Sequence, residues 1–246
     1  MAKPKLLITR FKPHAQRLSD LLNEHGIYTI AQPLLEIHPV EGASFPFSQY
    51  YDFIIAVSCN AVTYSHHNLQ GNEWPKSHYL AVGEATKSLL EDKTNQLVTI
   101  PDSTFNSEGL LALPILKNLD NRAILILRGV GGREYLKEHL CKRGATVDYY
   151  ESYQRVAIVL PDAMLSQKWQ QQGINGAIIS SIELLEQLIK VTAKEHQSWL
   201  KSITLFAASE RIINYAQGLG FHHTALLPSI ANQDIIDYFT NEDSYD

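Results

Sequence analysis

Leu6-Leu7-Ile8-Thr9-Arg10 sets the pattern for the whole chain: three apolar residues in a row, stopped at once by a polar pair. So short a continuous apolar run reads as a strand buried on both faces. Beyond it, Ala15, Leu18, Leu21 and Leu22 share one face of a helix, which Gly26 ends from the C-cap position. The motif returns 118 residues later, where Ile124-Leu125-Ile126, Arg128, Leu136, Leu140 and Gly144 stand in the same register. We call this strand, helix and glycine stop unit A.

A second unit, B, runs strand-Ser-helix, strand-small-Glu-helix, strand-Pro-loop-helix. It carries Ser58, then Gly83-Glu84, then Pro101 ahead of a helix at Ser107, and returns as Ser180-Ser181, Ser209-Glu210 and Pro228. With strands also expected at Tyr28 to Ile37, Leu97 to Ile100 and Thr146 to Ile158, strand and helix alternate throughout. The fold class is α/β, and any A plus B makes a five-stranded parallel sheet flanked by helices. Periodicity leaves open whether two similar lobes are consecutive halves or the first A crosses over to the last B. The long strands near Leu34 to Val40 and Tyr149 to Ile158 favour the crossing, lying side by side as a two-stranded linker. Lobe one is then residues 1–37 plus 155–246, and lobe two is 38–154.

Composition narrows the function. The 246 residues are 45% hydrophobic, enough for a core in each of one or two domains. Lys plus Arg number 21 against 26 Asp plus Glu, a net charge of −5, so no basic face is expected for nucleic acid. Apolar runs such as Phe53 to Val57 are far below the ~20 residues that span a bilayer, so no membrane partner is expected. The basic start Met1-Ala2-Lys3-Pro4-Lys5 leads into an apolar run too short for a signal peptide, which points to the cytoplasm. Two cysteines, Cys59 and Cys141, write neither a disulfide framework nor a thiolate metal site. The pairs His66-His67 and His222-His223 lack helical metal-ligand spacing and read as surface or packing residues.

Ligands of open parallel sheets bind beyond the carboxyl ends of the strands, at helix N-termini. Here that edge carries Thr9-Arg10, Ser58-Cys59-Asn60-Ala61, Gly83-Glu84-Ala85-Thr86, Ser107, Ser180-Ser181, Ser209 and Ser229. Helix capping explains most of these singly; their recurrence in both lobes favours a site. The turn Arg128-Gly129-Val130-Gly131-Gly132-Arg133 suits close backbone approach to a carboxylate gripped by two guanidinium groups. Glu134 stands where a dinucleotide fingerprint needs glycine, and no Gly-Lys-Ser/Thr follows. There is no nucleophile elbow, and Glu84 and Glu210 in first helical turns complement helix dipoles. What remains is a site of hydroxyls and backbone amides that positions a polyanion, with a phenol for proton transfer.

Taken in order, these motifs resemble the uroporphyrinogen-III synthases, which cyclise linear hydroxymethylbilane on the way to haem. The resemblance rests on Leu6 to Arg10, Pro33-Leu34-Leu35-Glu36-Ile37, Phe53 to Val62, Ala81 to Thr86, Ser107 to Leu111, Leu125 to Glu134 and Tyr153-Gln154-Arg155. Where relatives often have a Pro-Thr pair before the last helix, this chain has Ile230-Ala231-Asn232. The resemblance implies the crossed-over fold, substrate in a cleft between lobes, and neither cofactor nor metal. It implies loss of the substrate's terminal hydroxyl as water, an azafulvene, inversion of ring D through a spiro intermediate, and closure of the macrocycle. Carried over position by position, Ser58 and Thr86 are cleft hydroxyls, Arg133 a carboxylate partner and Tyr153 the catalytic phenol. Arg10, Asn60, Ala61, Gly83, Gly129, Gly131, Ser180, Ser181 and Ser209 complete the substrate-binding edge, with Asn60 standing where some relatives have a basic residue. The implied partners are a linear tetrapyrrole polycarboxylate and, for transient handover, hydroxymethylbilane synthase; the expected state is a monomer. The alternatives are a non-enzymatic two-lobed cytosolic small-anion binder and a sugar-nucleotide transferase, the latter without a recognisable diphosphate site.

Overall fold

The computed structural model describes residues 3–160 and 164–241, so Met1 and Ala2 of the basic start lie outside it. In chain order the first half contains β1 (Leu6–Ile8), α1 (Lys12–Glu24), β2 (Thr29–Ala31), β3 (Leu35–Pro39), β4 (Phe53–Ala56), α2 (Cys59–Asn68), β5 (His78–Ala81), α3 (Glu84–Thr94), β6 (Val98–Thr99) and α4 (Ser107–Ala112). Next come β7 (Ala123–Gly129), α5 (Tyr135–Lys142), β8 (Thr146–Ala157), α6 (Leu165–Gln171), β9 (Gly176–Ile178), α7 (Ile182–Val191) and α8 (Gln197–Ser202). The last elements are β10 (Thr204–Ala207), α9 (Glu210–Gly218), β11 (Thr224–Leu226) and α10 (Asn232–Thr240).

The chain divides into two compact units: unit 1 is Met1–Glu36 with Val156–Asp246, and unit 2 is Ile37–Arg155. In unit 1 the sheet order is β11-β10-β9-β1-β2, and each pair is parallel. Side chains alternate across it as a strand period of two requires. Leu7, Ala177 and Leu205 join a core with Leu184, Leu188 and Trp169. Leu6, Ile8, Ile178 and Phe206 face the other way, onto Leu18, Leu22 and Ile235. Unit 2 repeats the plan: Ile54, Ala56, Leu125 and Leu127 face one core, while Phe53, Ile55, Ile124 and Ile126 face another. Because both faces are covered, β1 and β4 are apolar at every position, which is why short unbroken runs announced them.

Unit 2's sheet has six strands, β3-β8-β7-β4-β5-β6, not the expected five. The pairs from β8 to β6 are parallel, and the sixth strand is β3 on the edge beside β8. Leu34 C=O accepts from Ile158 N–H while Val40 N–H donates to Ser152 C=O, so β3 and β8 run in opposite directions. Tyr28 to Ile37 is not one strand. It breaks between β2 and β3 at Gln32-Pro33-Leu34, where Pro33 offers no N–H to a ladder. Leu97 to Ile100 shrinks to β6, and Leu97 itself is almost fully exposed. The helices α6 and α8, each under two turns, are too short to show a legible period. Among the described residues no helix is long and apolar enough to cross a membrane.

Candidate active site

Unit 2 has a point where strand order reverses. β4 leads through α2 to β5 on one side, β7 leads through α5 to β8 on the other, and β4 and β7 are neighbours. The carboxyl ends of those two strands therefore frame a crevice. Ser58 follows β4 and caps α2: its backbone is extended and its Oγ accepts from Ala61 N–H at 3.1 Å. The same Oγ lies 3.1 Å from the Tyr153 hydroxyl.

How Tyr153 gets there is decided by an irregularity in β8. Arg128 is opposite Glu151 but Gly129 is opposite Tyr153, so Ser152 is an extra residue, a β-bulge. By simple alternation Tyr153 belongs with Tyr149 and Glu151; the bulge instead turns it into the core that holds Tyr150. Ser152 is fully buried, with its Oγ donating to Ala61 C=O at 3.3 Å, while Val130 N–H donates to Tyr153 C=O at 2.8 Å. The Tyr153 ring stacks on Tyr64, 5.9 Å between centroids. It also covers Gly129, where an added Cβ would come within 2.6 Å of two ring carbons. A buried phenol is thus fixed from several sides with its oxygen at a helix N-cap.

The glycine-rich turn works differently from the expected two-guanidinium grip. Arg128 is buried and turned onto its own loop, where its side chain donates to the carbonyls of Gly129 and Gly131 and to Glu134 at 3.1 Å. Its guanidinium stacks on Tyr149 at 4.2 Å, and Glu151 is 3.9 Å away. Tyr149 in turn donates to Glu134 at 2.8 Å, so it orders the loop beyond simply packing beside Tyr150. Burial first and the Glu134 hydrogen bond second push the Tyr149 phenol up to about 12. Glu134 is held below the ordinary carboxylate range, mainly by the Tyr149 hydroxyl and then by Arg128. Gly131 has φ +73° and Gly132 φ +100°, the left-handed region that favours glycine, and Gly131 N–H donates to Glu151 at 3.2 Å.

Arg133, by contrast, is largely exposed, paired with Glu108 at 2.8 Å and lying over Tyr135 at 5.0 Å. A cavity of about 210 Å³ brings Val57, Arg128, Gly129, Arg133, Tyr149 and Tyr153 together. Thr86, in the first turn of α3, is buried with its hydroxyl 3.7 Å from Cys59 Sγ, so it ties the starts of α2 and α3 together. Asn60 is exposed on the first turn of α2, and the Ala61 N–H is already engaged by Ser58. Gly83 caps α3 in extended backbone, beside Phe105. A larger hollow of about 750 Å³ opens near His66, Trp74 and His78, at the amino end of β5 and the C-terminus of α3. Helix C-termini are electrically wrong for a polycarboxylate, and there His66 Nδ1 accepts from Trp74 Nε1.

In unit 1 the reversal falls between β1 and β9. Thr9 Oγ1 donates to Ile178 C=O at 3.0 Å, and Ser181 caps α7 by accepting from Leu184 N–H at 3.2 Å. Ser180 ends the β9 loop beside it, and Ser209 precedes α9 without a side-chain capping bond. Arg10 follows β1, half-buried, and burial lowers its pKa from the usual guanidinium value while leaving it charged in any physiological buffer. Its partner is Asn232 Oδ1 at 3.1 Å. Among the described residues no group of His, Cys, Asp or Glu is arranged to hold a metal.

A family model described as uroporphyrinogen-III synthase HemD matches residues 16–234. The chain is 32% identical over 242 residues to the uroporphyrinogen-III synthase of Salmonella typhimurium, covering 94% of this chain and 98% of that one. The chain belongs to the uroporphyrinogen-III synthase family. The Escherichia coli uroporphyrinogen-III synthase is 32% identical over the same coverage. Among solved structures, a mutant uroporphyrinogen III synthase of Thermus thermophilus shares the fold with a TM-score of 0.63 at 13% identity, covering 94% of this chain and 96% of that one. The Helicobacter pylori enzyme gives 0.60 at 14%, covering 95% and 97%. In this uroporphyrinogen-III synthase chain, sequence reasoning missed Tyr64, Ser152, Glu134 and Asn232. A signal existed for two of them: Glu134 closes the glycine turn, and Asn232 begins a helix.

Proposed function

We infer that the protein dehydrates and cyclises hydroxymethylbilane to uroporphyrinogen III with inversion of ring D, releasing one water. The single observation that carries this is the 32% identity to uroporphyrinogen-III synthases along 94% of the chain. Nothing in the comparisons supports a non-enzymatic anion binder. The site's chemistry agrees with the reaction. Hydroxyls and helix N-termini at the carboxyl edges of both sheets can take several carboxylates without many buried ion pairs.

Tyr153 is proposed as the catalytic residue, donating a hydrogen bond to the hydroxyl that leaves as water. Ser58 Oγ accepts from Ala61 N–H, so its own proton can be given to the Tyr153 oxygen. That leaves the phenolic hydrogen for the substrate, and a phenol adds no negative charge beside the substrate's carboxylates. Arg10, Ser58, Asn60, Ala61, Gly83, Thr86, Gly129, Gly131, Arg133, Ser180, Ser181 and Ser209 are proposed as the binding edge. Gly131 and Ala61 already donate their amides internally, so they shape the site more than they bind. We also propose a cytoplasmic monomer that receives its unstable substrate by handover from hydroxymethylbilane synthase. Incubation with hydroxymethylbilane tests the function. Isomer III is expected, and isomer I alone, the product of uncatalysed closure, would refute it.

A further inference from the structure

Asn232 begins α10 one position past its N-cap, Ala231, so its side chain is not needed for capping. Residues at a helix start commonly cap backbone N–H groups. Here Ser229 does that work: its hydroxyl donates to the Asp234 carboxylate and accepts Ala231 N–H at 2.9 Å. Ala231, the N-cap by position, has no side chain that could take part. The Asn232 amide is therefore available, and its Oδ1 accepts from Arg10 Nη1 at 3.1 Å across 222 residues of sequence. Arginine has no acceptor, so the amide must present oxygen to it, leaving the NH₂ of Asn232 as a further donor on the same edge.

The guanidinium so held is unusual for its setting. It sits at the carboxyl end of β1, at the β1/β9 reversal, half-buried. Among the described residues no carboxylate lies within ion-pair distance of it. Its repeat mate Arg128 is paired with Glu134 and faces Glu151. A half-buried cation whose side-chain partner among the described residues is a neutral amide is a ready receptor for an incoming carboxylate.

We propose that Asn232 is a positioning residue, which aims Arg10 so that its remaining guanidinium donors take a carboxylate of the substrate. This rests on the functional reading above. Asn232 itself can add one amide donor to the same carboxylate. The arrangement makes unit 1's contribution to recognition a charged one.

The test compares Asn232→Ala, Asn232→Asp and Arg10→Ala by steady-state kinetics with hydroxymethylbilane and by urea unfolding. A carboxylate at the start of α10 suits the helix dipole, so a purely structural Asn232 predicts that Asn232→Asp is as stable and as active as wild type, or more. Our proposal predicts stability equal to or above wild type but KM raised about tenfold or more, because the new carboxylate occupies Arg10. Asn232→Ala should raise KM several-fold with kcat nearly unchanged, and Arg10→Ala should match Asn232→Asp, with no further loss in the double variant. Wild-type KM in Asn232→Asp would overturn the proposal while leaving the functional reading intact. Absence of isomer III from the wild-type protein would instead overturn the functional reading itself, and this inference with it.

Discussion

Arg10 and Arg128 hold the same place in two copies of one motif, each just past the first strand of an A unit, and they are used in opposite ways. Arg128 is folded inward, its charge met by Glu134, Glu151 and loop carbonyls. Arg10 meets an amide instead. A duplicated strand and helix thus preserves the position of a cation but not its role, which is set by the acids that the following loop supplies. Unit 2's loop ends in Glu134; unit 1 has Lys12 and Pro13 at the corresponding stretch, and no acid. One copy became a brace for a glycine turn, and the other stayed electrostatically open.

The comparison can be broken most directly at Arg128. Arg128→Ala should destabilise the protein by about 1–3 kcal/mol, because the Gly129 and Gly131 carbonyls lose the buried donor that satisfies them. Urea unfolding measures it, and a loss as large in Arg10→Ala would erase the distinction. Next in size, Tyr153→Phe should slow isomer III formation by on the order of 10²-fold, with thermal unfolding near wild type. Gly129→Ala should reproduce part of that defect with the phenol still present, because its Cβ displaces the ring, and overpacking should cost about 1–3 kcal/mol. Wild-type rates in both variants would leave unit 2 as scaffold only.

Smaller effects sharpen the contrast. Arg10→Ala should lose less than about 1 kcal/mol of stability, since one neutral partner is given up, while its KM rises. Acid should separate the regions too. Glu134's folded pKa is depressed, so its stabilising contribution is complete above the ordinary carboxylate value and is lost as pH falls through the lower folded one. Protection factors of the amides in residues 129–135, taken against intrinsic exchange at each pH, should therefore fall below about pH 4, while those around the Arg10–Asn232 pair, with nothing to titrate there, are indifferent. Equal acid sensitivity at both places would contradict this. The smallest change is expected from Arg133→Ala, about 0.5 kcal/mol for an exposed pair with Glu108. A several-fold rise in its KM would then mark Arg133 as a substrate contact.

Most of the architecture was legible because strands covered on both faces must be apolar without interruption, and Phe53-Ile54-Ile55-Ala56 or Ile124-Leu125-Ile126-Leu127 leave little alternative. The pairing of β3 with β8 was legible as well, in the two long runs expected side by side; that this pair extends unit 2's sheet to six strands was not, because an edge strand with weakly alternating burial does not reveal which sheet it joins. In the site, Ser58 was legible as a hydroxyl just past a strand and Tyr153 through the family resemblance. Their hydrogen bond was not, since it depends on a one-residue bulge at Ser152 that no local pattern encodes. The inward turn of Arg128 was hidden for a related reason. A guanidinium beside glycines reads alike whether it faces a ligand or its own loop, and only the placing of Tyr149 beneath it decides.

The division of the chain also governs the order in which it can fold during synthesis. Unit 2 is one continuous segment, so all its strands leave the ribosome together, but β1 of unit 1 pairs Leu6 with Gly176 and so must wait for about 170 further residues. At the ribosome's pace this is on the order of ten seconds or more, during which a Leu-Leu-Ile strand has only β2 beside it. Lys3, Lys5 and Arg10 bracket that strand with positive charge, the kind of flanking that keeps nascent apolar segments from finding one another. Seen from the ribosome, Arg10 guards the newborn chain before it has any substrate to meet.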